Sequence, residues 1–366
     1  MQSIRKRSVG STTSTTCSTP PPHDIYSVLL SEESRYKRKG YGLIFASLIW
    51  LSFMLISPIA IQNLWPPFMD LVKSQGWEKW QVYYYVSLAW HSLMIIITNL
   101  AMWAIYEIQL PFFERYKIST DPWPWVENKG EWMKMLKKSI ALVSFNNFVS
   151  LPITIYAFLW LKNFQVDLQF GVENLPGSMT IMFTLAFCMI CEDLTFHLIH
   201  RFLHWRVIYP YFHKVHHQYR TTIGIAAEYS HPIDFIIGSV IPGSVGAMIL
   251  GDNMHFTTYL VWVMVRLGES LDGHSGYEFS WSPYRLIPFS TSASYHNFHH
   301  SHNIGNYSSF FSLWDTIFGQ NKVFYQFMEK VKEAKEAHQK QQEEFNKKLN
   351  EKLSLEQRNE KLLKQD

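Results

Sequence analysis

The sequence predicts an all-α integral membrane protein, with four transmembrane helices plus a membrane hairpin and a cytosolic helical cap holding a histidine-rich dimetal site. Three observations carry that expectation. Four apolar runs lie at 41–63, 83–106, 139–162 and 177–199, each near the roughly 20 residues that cross a bilayer as a helix. A fifth apolar region, 233–271, is interrupted by Gly251, Asp252 and Asn253. Thirteen of the sixteen histidines fall between His197 and His302, most of them beyond the fourth run. Composition agrees: the chain is 47% hydrophobic and 16% aromatic, yet its mean hydropathy is −0.08, the average of very apolar stretches and very polar ends. The net charge of +3 says little about partners, and no nucleic-acid partner is expected. Three cysteines are too few for a disulfide scaffold.

Residues 1–40 are rich in Ser, Thr and Pro, with Pro20, Pro21 and Pro22 in a row, and predict a disordered cytosolic tail. Arg5, Lys6 and Arg7 are not followed by an apolar segment, so no signal peptide is expected. The transmembrane helices occupy 41–199, and basic residues alternate across them. Arg35, Lys37, Arg38 and Lys39 precede the first run; Arg115, Lys117, Lys129, Lys134, Lys137 and Lys138 lie between the second and third. The positive-inside rule then puts the N-terminus and the 107–138 loop in the cytosol, and the fourth helix exits there too. Cys188 and Cys191 read as small residues of that helix rather than as a redox pair. The catalytic region runs from 200 to 320 and includes the membrane hairpin 233–271, whose charged turn between two short arms returns the chain to its starting side. The aromatic stretch 306–319 suits the membrane interface or a cover for the metal site. Residues 328–366, rich in Lys, Glu and Gln, predict a charged helical cytosolic tail.

The histidines come in groups. His200 and His204 are four apart, one helical turn. His213, His216 and His217, and again His296, His299 and His300, repeat the spacing i, i+3, i+4, which places each triplet on one helix face. His231 and His274 stand singly, giving ten candidate ligands. A single ion takes about four to six, so two metals close together are expected. Few carboxylates and no thiolates accompany them, which disfavours calcium and cysteine-bound structural zinc; imidazole suits iron, zinc or copper. Glu192, Asp193, Glu228, Glu269 and Asp272 are candidates to accept the second imidazole N–H, with Arg201 and Arg266 as ion-pair partners. His197 and His302 flank the ligands, while His255 reads as structural and His23, His91 and His338 carry no role.

The run E-D-L-T-F-H-L-I-H-R-F-L-H, then H-K-V-H-H, A-E-Y-S-H-P, D-G-H-S-G-Y and H-N-F-H-H, followed by I-G-N-Y and L-W-D-T-I-F-G, resembles the sterol C4-methyl oxidases of the fatty acid hydroxylase/sterol desaturase superfamily. The resemblance implies a non-haem centre of two iron ions held by His200, His204, His213, His216, His217, His274, His296, His299 and His300, with His231 a further candidate. It implies O2-dependent oxidation of a sterol C4-methyl group through alcohol and aldehyde to carboxylate, in the endoplasmic reticulum membrane with both termini cytosolic. Electrons would come from NAD(P)H through cytochrome b5 and its reductase; no G-x-G-x-x-G follows a strand in this chain. Two positions depart from the pattern: Tyr295 stands where a paired histidine often opens the third group, and His197 where an aromatic residue is usual. Other chemistry on the same scaffold, such as sterol desaturation or fatty acyl or sphingoid hydroxylation, shares the histidines. A metal transporter would instead place ligands near mid-membrane.

Overall fold

The computed structural model describes residues 23–119 and 121–362. Among them the regular structure is helical, with isolated bridges such as Gln169 to His255 but no strand. Four long helices follow one another: α1 (His23–Ser74), α2 (Lys79–Ile108), α3 (Lys129–Leu161) and α4 (Ser178–Leu203). They outrun the apolar stretches that predicted them, because a helix continues through polar turns once its backbone bonds propagate. α1 begins inside the expected tail, so residues 23–40 are helical; residues 1–22 lie outside the described chain. α3 starts where the Asn128 side chain accepts a hydrogen bond from the Glu131 amide at 3.1 Å, an N-cap upstream of the apolar segment.

The interrupted fifth region folds as a hairpin of α5 (Pro232–Asn253) and α6 (Phe256–His274). Its turn falls at Gly251–Asn253, where Gly251 takes the positive φ of 52° that reverses the chain. His255 then caps α6, its Nδ1 accepting from the Thr257 amide at 3.2 Å, in keeping with a structural role. Five helices, Gly40–Ser74 within α1 together with α2, α3, α4 and α5, are long and apolar enough to cross a membrane. Large apolar side chains such as Leu48, Leu55, Ile153, Trp160, Phe183 and Ile190 stand exposed on them, as a lipid-facing surface requires.

α4 and α5 pack against each other through small residues. A Cβ on Gly246 would come within 2.8 Å of the Cys188 Cα, so two backbones meet there, and Cys188 serves as a small packing residue. Trp262 and Phe256 of α6 fill the core with Ile181 and Leu185 of α4, Trp65 of α1 and Phe310. π-helical turns interrupt α3 at Asn146–Ser150 and α5 at Ile236–Val240.

Because α5 runs back between them, α4 and α6 end at one level, and the cap is built on those ends. It comprises 3-10 turns at His213–Gln218 and Gly224–Glu228, then α7 (Ala293–His302) and α8 (Lys322–Leu362). An aromatic layer ties the cap to the spans. The Tyr106 hydroxyl on α2 donates to the Ser275 carbonyl at 2.7 Å and accepts from the Gly224 amide at 2.9 Å, and Trp123 stacks on Trp125 beside it.

Candidate metal centre

Nine of the ten predicted histidines converge. His200, His204, His213, His217 and His299 form one group and His216, His274, His296 and His300 a second; within each, one ring nitrogen per residue lies within 4.8 Å of the others. Here the one-face reading of the triplets needs correcting. In both, the i and i+4 residues share a group and the i+3 residue crosses to the other, so that His216 leaves His213 and His217, and His299 leaves His296 and His300. Successive helical residues diverge by about 100°. Adjacent rings such as His299 and His300, held at an interplanar angle of 89°, therefore aim at different points.

His231 is not in either group. Its Nδ1 accepts from the Ile233 amide at 3.2 Å, capping α5, and its ring packs edge-on against Phe212. A lone histidine directly before proline is well placed to cap a helix, and that local use has taken it. His197 bonds Ser308 Oγ at 3.1 Å and stacks on Phe318; His302 stacks on Phe298.

Five of the imidazoles are held at Nδ1 by a backbone carbonyl: Tyr307 for His200 at 2.8 Å, Tyr229 for His216 at 3.1 Å, Ser270 for His274 at 2.7 Å, Gly305 for His299 at 2.6 Å and Tyr219 for His300 at 2.9 Å. A carbonyl only accepts, so in these five rings Nδ1 carries the proton and Nε2 keeps its lone pair. His213 is the exception in kind, its Nδ1 donating to the Asp234 carboxylate at 2.9 Å. The five acids singled out in sequence do not take this role. Glu192 pairs with Arg266 at 3.2 Å, Asp272 with Arg285 at 2.6 Å, and Glu269 accepts from Ser309 Oγ. Asp193 accepts the Ser309 and Phe310 amides, which clamps the aromatic stretch over the site. Arg201 lies over the Phe318 ring.

Burial favours the uncharged form of six of these rings. His216 is lowered to about 4 and His299 to about 3, in both cases chiefly by desolvation, while His204, His217, His296 and His300 are pushed further below their ordinary value by burial and by one another. Lone pair faces lone pair between His274 and His216, whose Nε2 atoms are 3.4 Å apart with both Nδ1 protons held by carbonyls. The Nε2 atoms of His296 and His274 are 2.9 Å apart, those of His299 and His204 3.1 Å, and those of His299 and His217 3.1 Å. A cation resolves that repulsion. With metal–nitrogen bonds of about 2.1 Å, ligands at 90–110° sit roughly 3.0–3.4 Å apart, the spacing seen. Nε2 of His200 and of His213, both buried, find no hydrogen-bond partner among the described residues. The residues present therefore fit two metal ions bound by imidazole.

Sequence reasoning missed Asp234, Asp315 and Gly305. Asp315 accepts the Tyr295 hydroxyl at 2.8 Å and the amides of Tyr307 and Ser308, and so sets the segment whose carbonyl holds His200. It sits inside L-W-D-T-I-F-G, a motif singled out for resemblance but read only as a cover. Gly305 has φ 58°, and a Cβ there would strike the Gln320 carbonyl; I-G-N-Y carries the signal.

A family model described as fatty acid hydroxylase matches residues 185–320. Methylsterol monooxygenase 1 of Rattus norvegicus is 34% identical over 276 residues, 74% of this chain and 86% of that protein. Methylsterol monooxygenase 1 of Gallus gallus is 30% identical, covering 77% and 90%, and C-4 methylsterol oxidase of Candida albicans is 34% identical, covering 59% and 67%. No solved structure matches.

Proposed function

This chain belongs to the methylsterol monooxygenases of the fatty acid hydroxylase family, and from that premise we propose that it is a membrane-bound oxidoreductase that oxidises the C4-methyl groups of sterol intermediates with O2. The observation that carries the reading is the pair of imidazole groups, seven of the nine rings buried, with ring nitrogens gathered at ligand spacing. A non-haem iron site suits such donors. His200, His204, His213, His217 and His299 would hold one iron and His216, His274, His296 and His300 the other. When bound, the two irons supply activation of O2 against an unreactive C–H bond.

The chain's own residues do the rest. The carbonyls of Tyr307, Tyr229, Ser270, Gly305 and Tyr219 retain the Nδ1 protons and fix each ring's direction. Asp234 adds a negative charge behind His213 and fixes the direction of that ring. The segment from Tyr307 to Phe310, clamped by Asp193 and Asp315, keeps bulk water off the site. Electrons arrive from NAD(P)H through cytochrome b5 and its reductase at the cytosolic cap, in the endoplasmic reticulum membrane, with both termini on that side; the alternating basic loops support the orientation.

Sterol profiling by mass spectrometry of cells lacking this protein tests the reading. The expected outcome is accumulation of 4-methyl and 4,4-dimethyl sterols that disappears on rescue with the intact chain but not with His216→Ala or His299→Ala. An unchanged C4 profile with a different sterol or hydroxylated lipid altered would assign other chemistry to the same site.

A further inference from the structure

Three cavities lie end to end through the membrane part of the protein. The first, about 60 Å³, is lined by histidines of both groups, including His213, His274 and His296, and by Arg266 and Asp272. Arg266 and Ser239 also line the second, about 70 Å³, whose walls include His91, Phe235 and Trp262. The second in turn shares Leu151, Val240, Ser244 and Tyr259 with a third of about 350 Å³. That chamber lies between α3 and α5 and is walled mainly by apolar side chains such as Ile155, Phe158 and Met248.

Polarity falls from the metal end into the chamber, and the chamber opens to the surface. The metal end is crowded with ionic and hydroxyl groups; the chamber is walled mainly by apolar side chains, with Lys162, Gln165 and Asp167 at its outer margin. Gly238 lines the first cavity and Gly251 the last, which at the rise of a helix separates the ends by about 20 Å. Ile241 and Met248 line the chamber and are 43% and 58% exposed, so it gives onto the lipid-facing surface. Both π turns border the row: Ser239 and Val240 belong to one, and Leu151 directly follows the other. An extra residue in a helical turn widens the groove beside it, as such turns often do at ligand sites.

With the reacting C4 at the metal end, a sterol lies along this row in one orientation. The C4 carbon adjoins C3, which bears the hydroxyl, and the hydrocarbon side chain lies at the opposite end of a rigid nucleus. We propose that the three cavities are one channel that takes a sterol lengthwise from the lipid, with C3 and C4 at the polar neck beside the histidines and the side chain in the chamber between α3 and α5. The inference rests on the sterol reading above and adds the path and the orientation. Arg266 and Ser239, at the neck, are then the groups facing the C3 oxygen, and Thr154, Phe158 and Met248 measure the side chain.

Two measurements on the full-length, iron-loaded protein test it. In the first, Thr154→Trp narrows the chamber far from the metal ligands. Turnover of a full-length 4,4-dimethyl sterol is expected to fall at least tenfold, while a 4,4-dimethyl steroid lacking the side chain loses less than twofold. In the second, a 4,4-dimethyl sterol with a diazirine in its side chain is photolysed on the wild-type protein, where no variant can misfold. Label within 154–162 or 241–251, displaced by unlabelled sterol, is the expected result. Label elsewhere, or an equal loss for both substrates in a variant that keeps its iron, overturns the channel. Failure of the wild-type protein to oxidise either substrate would instead overturn the underlying sterol reading.

Discussion

At the scale of single residues, the histidines that gather were legible in the sequence, His231 apart, and their division between two groups was not. Spacing shows which imidazoles share a helical turn, but which group the i+3 residue joins is fixed only by the packed cap. The carboxylate behind His213 was hidden for a related reason: Asp234 follows Pro232 and reads as an ordinary first-turn acid of a helix. Asp234→Asn leaves the shape and removes the charge, and it is expected to lower iron affinity or turnover by about 10–100-fold, measured as iron per chain and as sterol turnover. Glu228 behaves differently. Burial pushes its carboxyl up to about 7 from 4.5, so the folded chain binds this proton more tightly than the unfolded chain does. Stability is then lost as pH rises from about 4.5 through 7 and is flat above. Glu228→Gln should therefore melt higher than wild type at pH 8, by roughly 1–3 kcal/mol, and almost equally at pH 4.5; thermal melts at the two values in one detergent check the sign.

At the scale of elements, apolar length located every span and the Gly251–Asn253 interruption located the hairpin turn, because desolvation in lipid acts on composition alone. Helix ends were misjudged where polar residues extend a helix past the membrane, as at Lys129 and in the stretch from His23 to Gly40. The π turns left no periodic signature. Close approach of α4 and α5 is the feature most open to test. Gly246→Ala puts a methyl group against the Cys188 backbone and is expected to destabilise by about 1–3 kcal/mol, whereas Gly177→Ala, with open space around it, should be silent. Thermal unfolding of the two variants in the same detergent gives the comparison.

For the molecule as a whole, the ends of α4 and α6 meet at one cap, so the histidines they carry share one face. The fold class was readable because the membrane constrains it so strongly, and the family because the three histidine groups stand in order with the motifs between them. The channel was not readable, since its walls are ordinary apolar residues scattered over α2, α3, α5 and α6. If the arrangement spans the membrane as drawn, the exposed hairpin turn and the cap lie on opposite faces. A cysteine introduced at Asp252 should react with an impermeant maleimide only after sealed microsomes are opened, while one introduced at the exposed Lys340 of α8 should react at once; labelling of both before opening would refute this topology.

The crossing of the two triplets makes the centre an interlock. The short turn that sends His216 to one group sends His213 and His217 to the other, and α7 divides His299 from His296 and His300 in the same way. Any shift of either segment therefore moves both groups at once, so the two halves of the site resemble a clasp more than two separate cups.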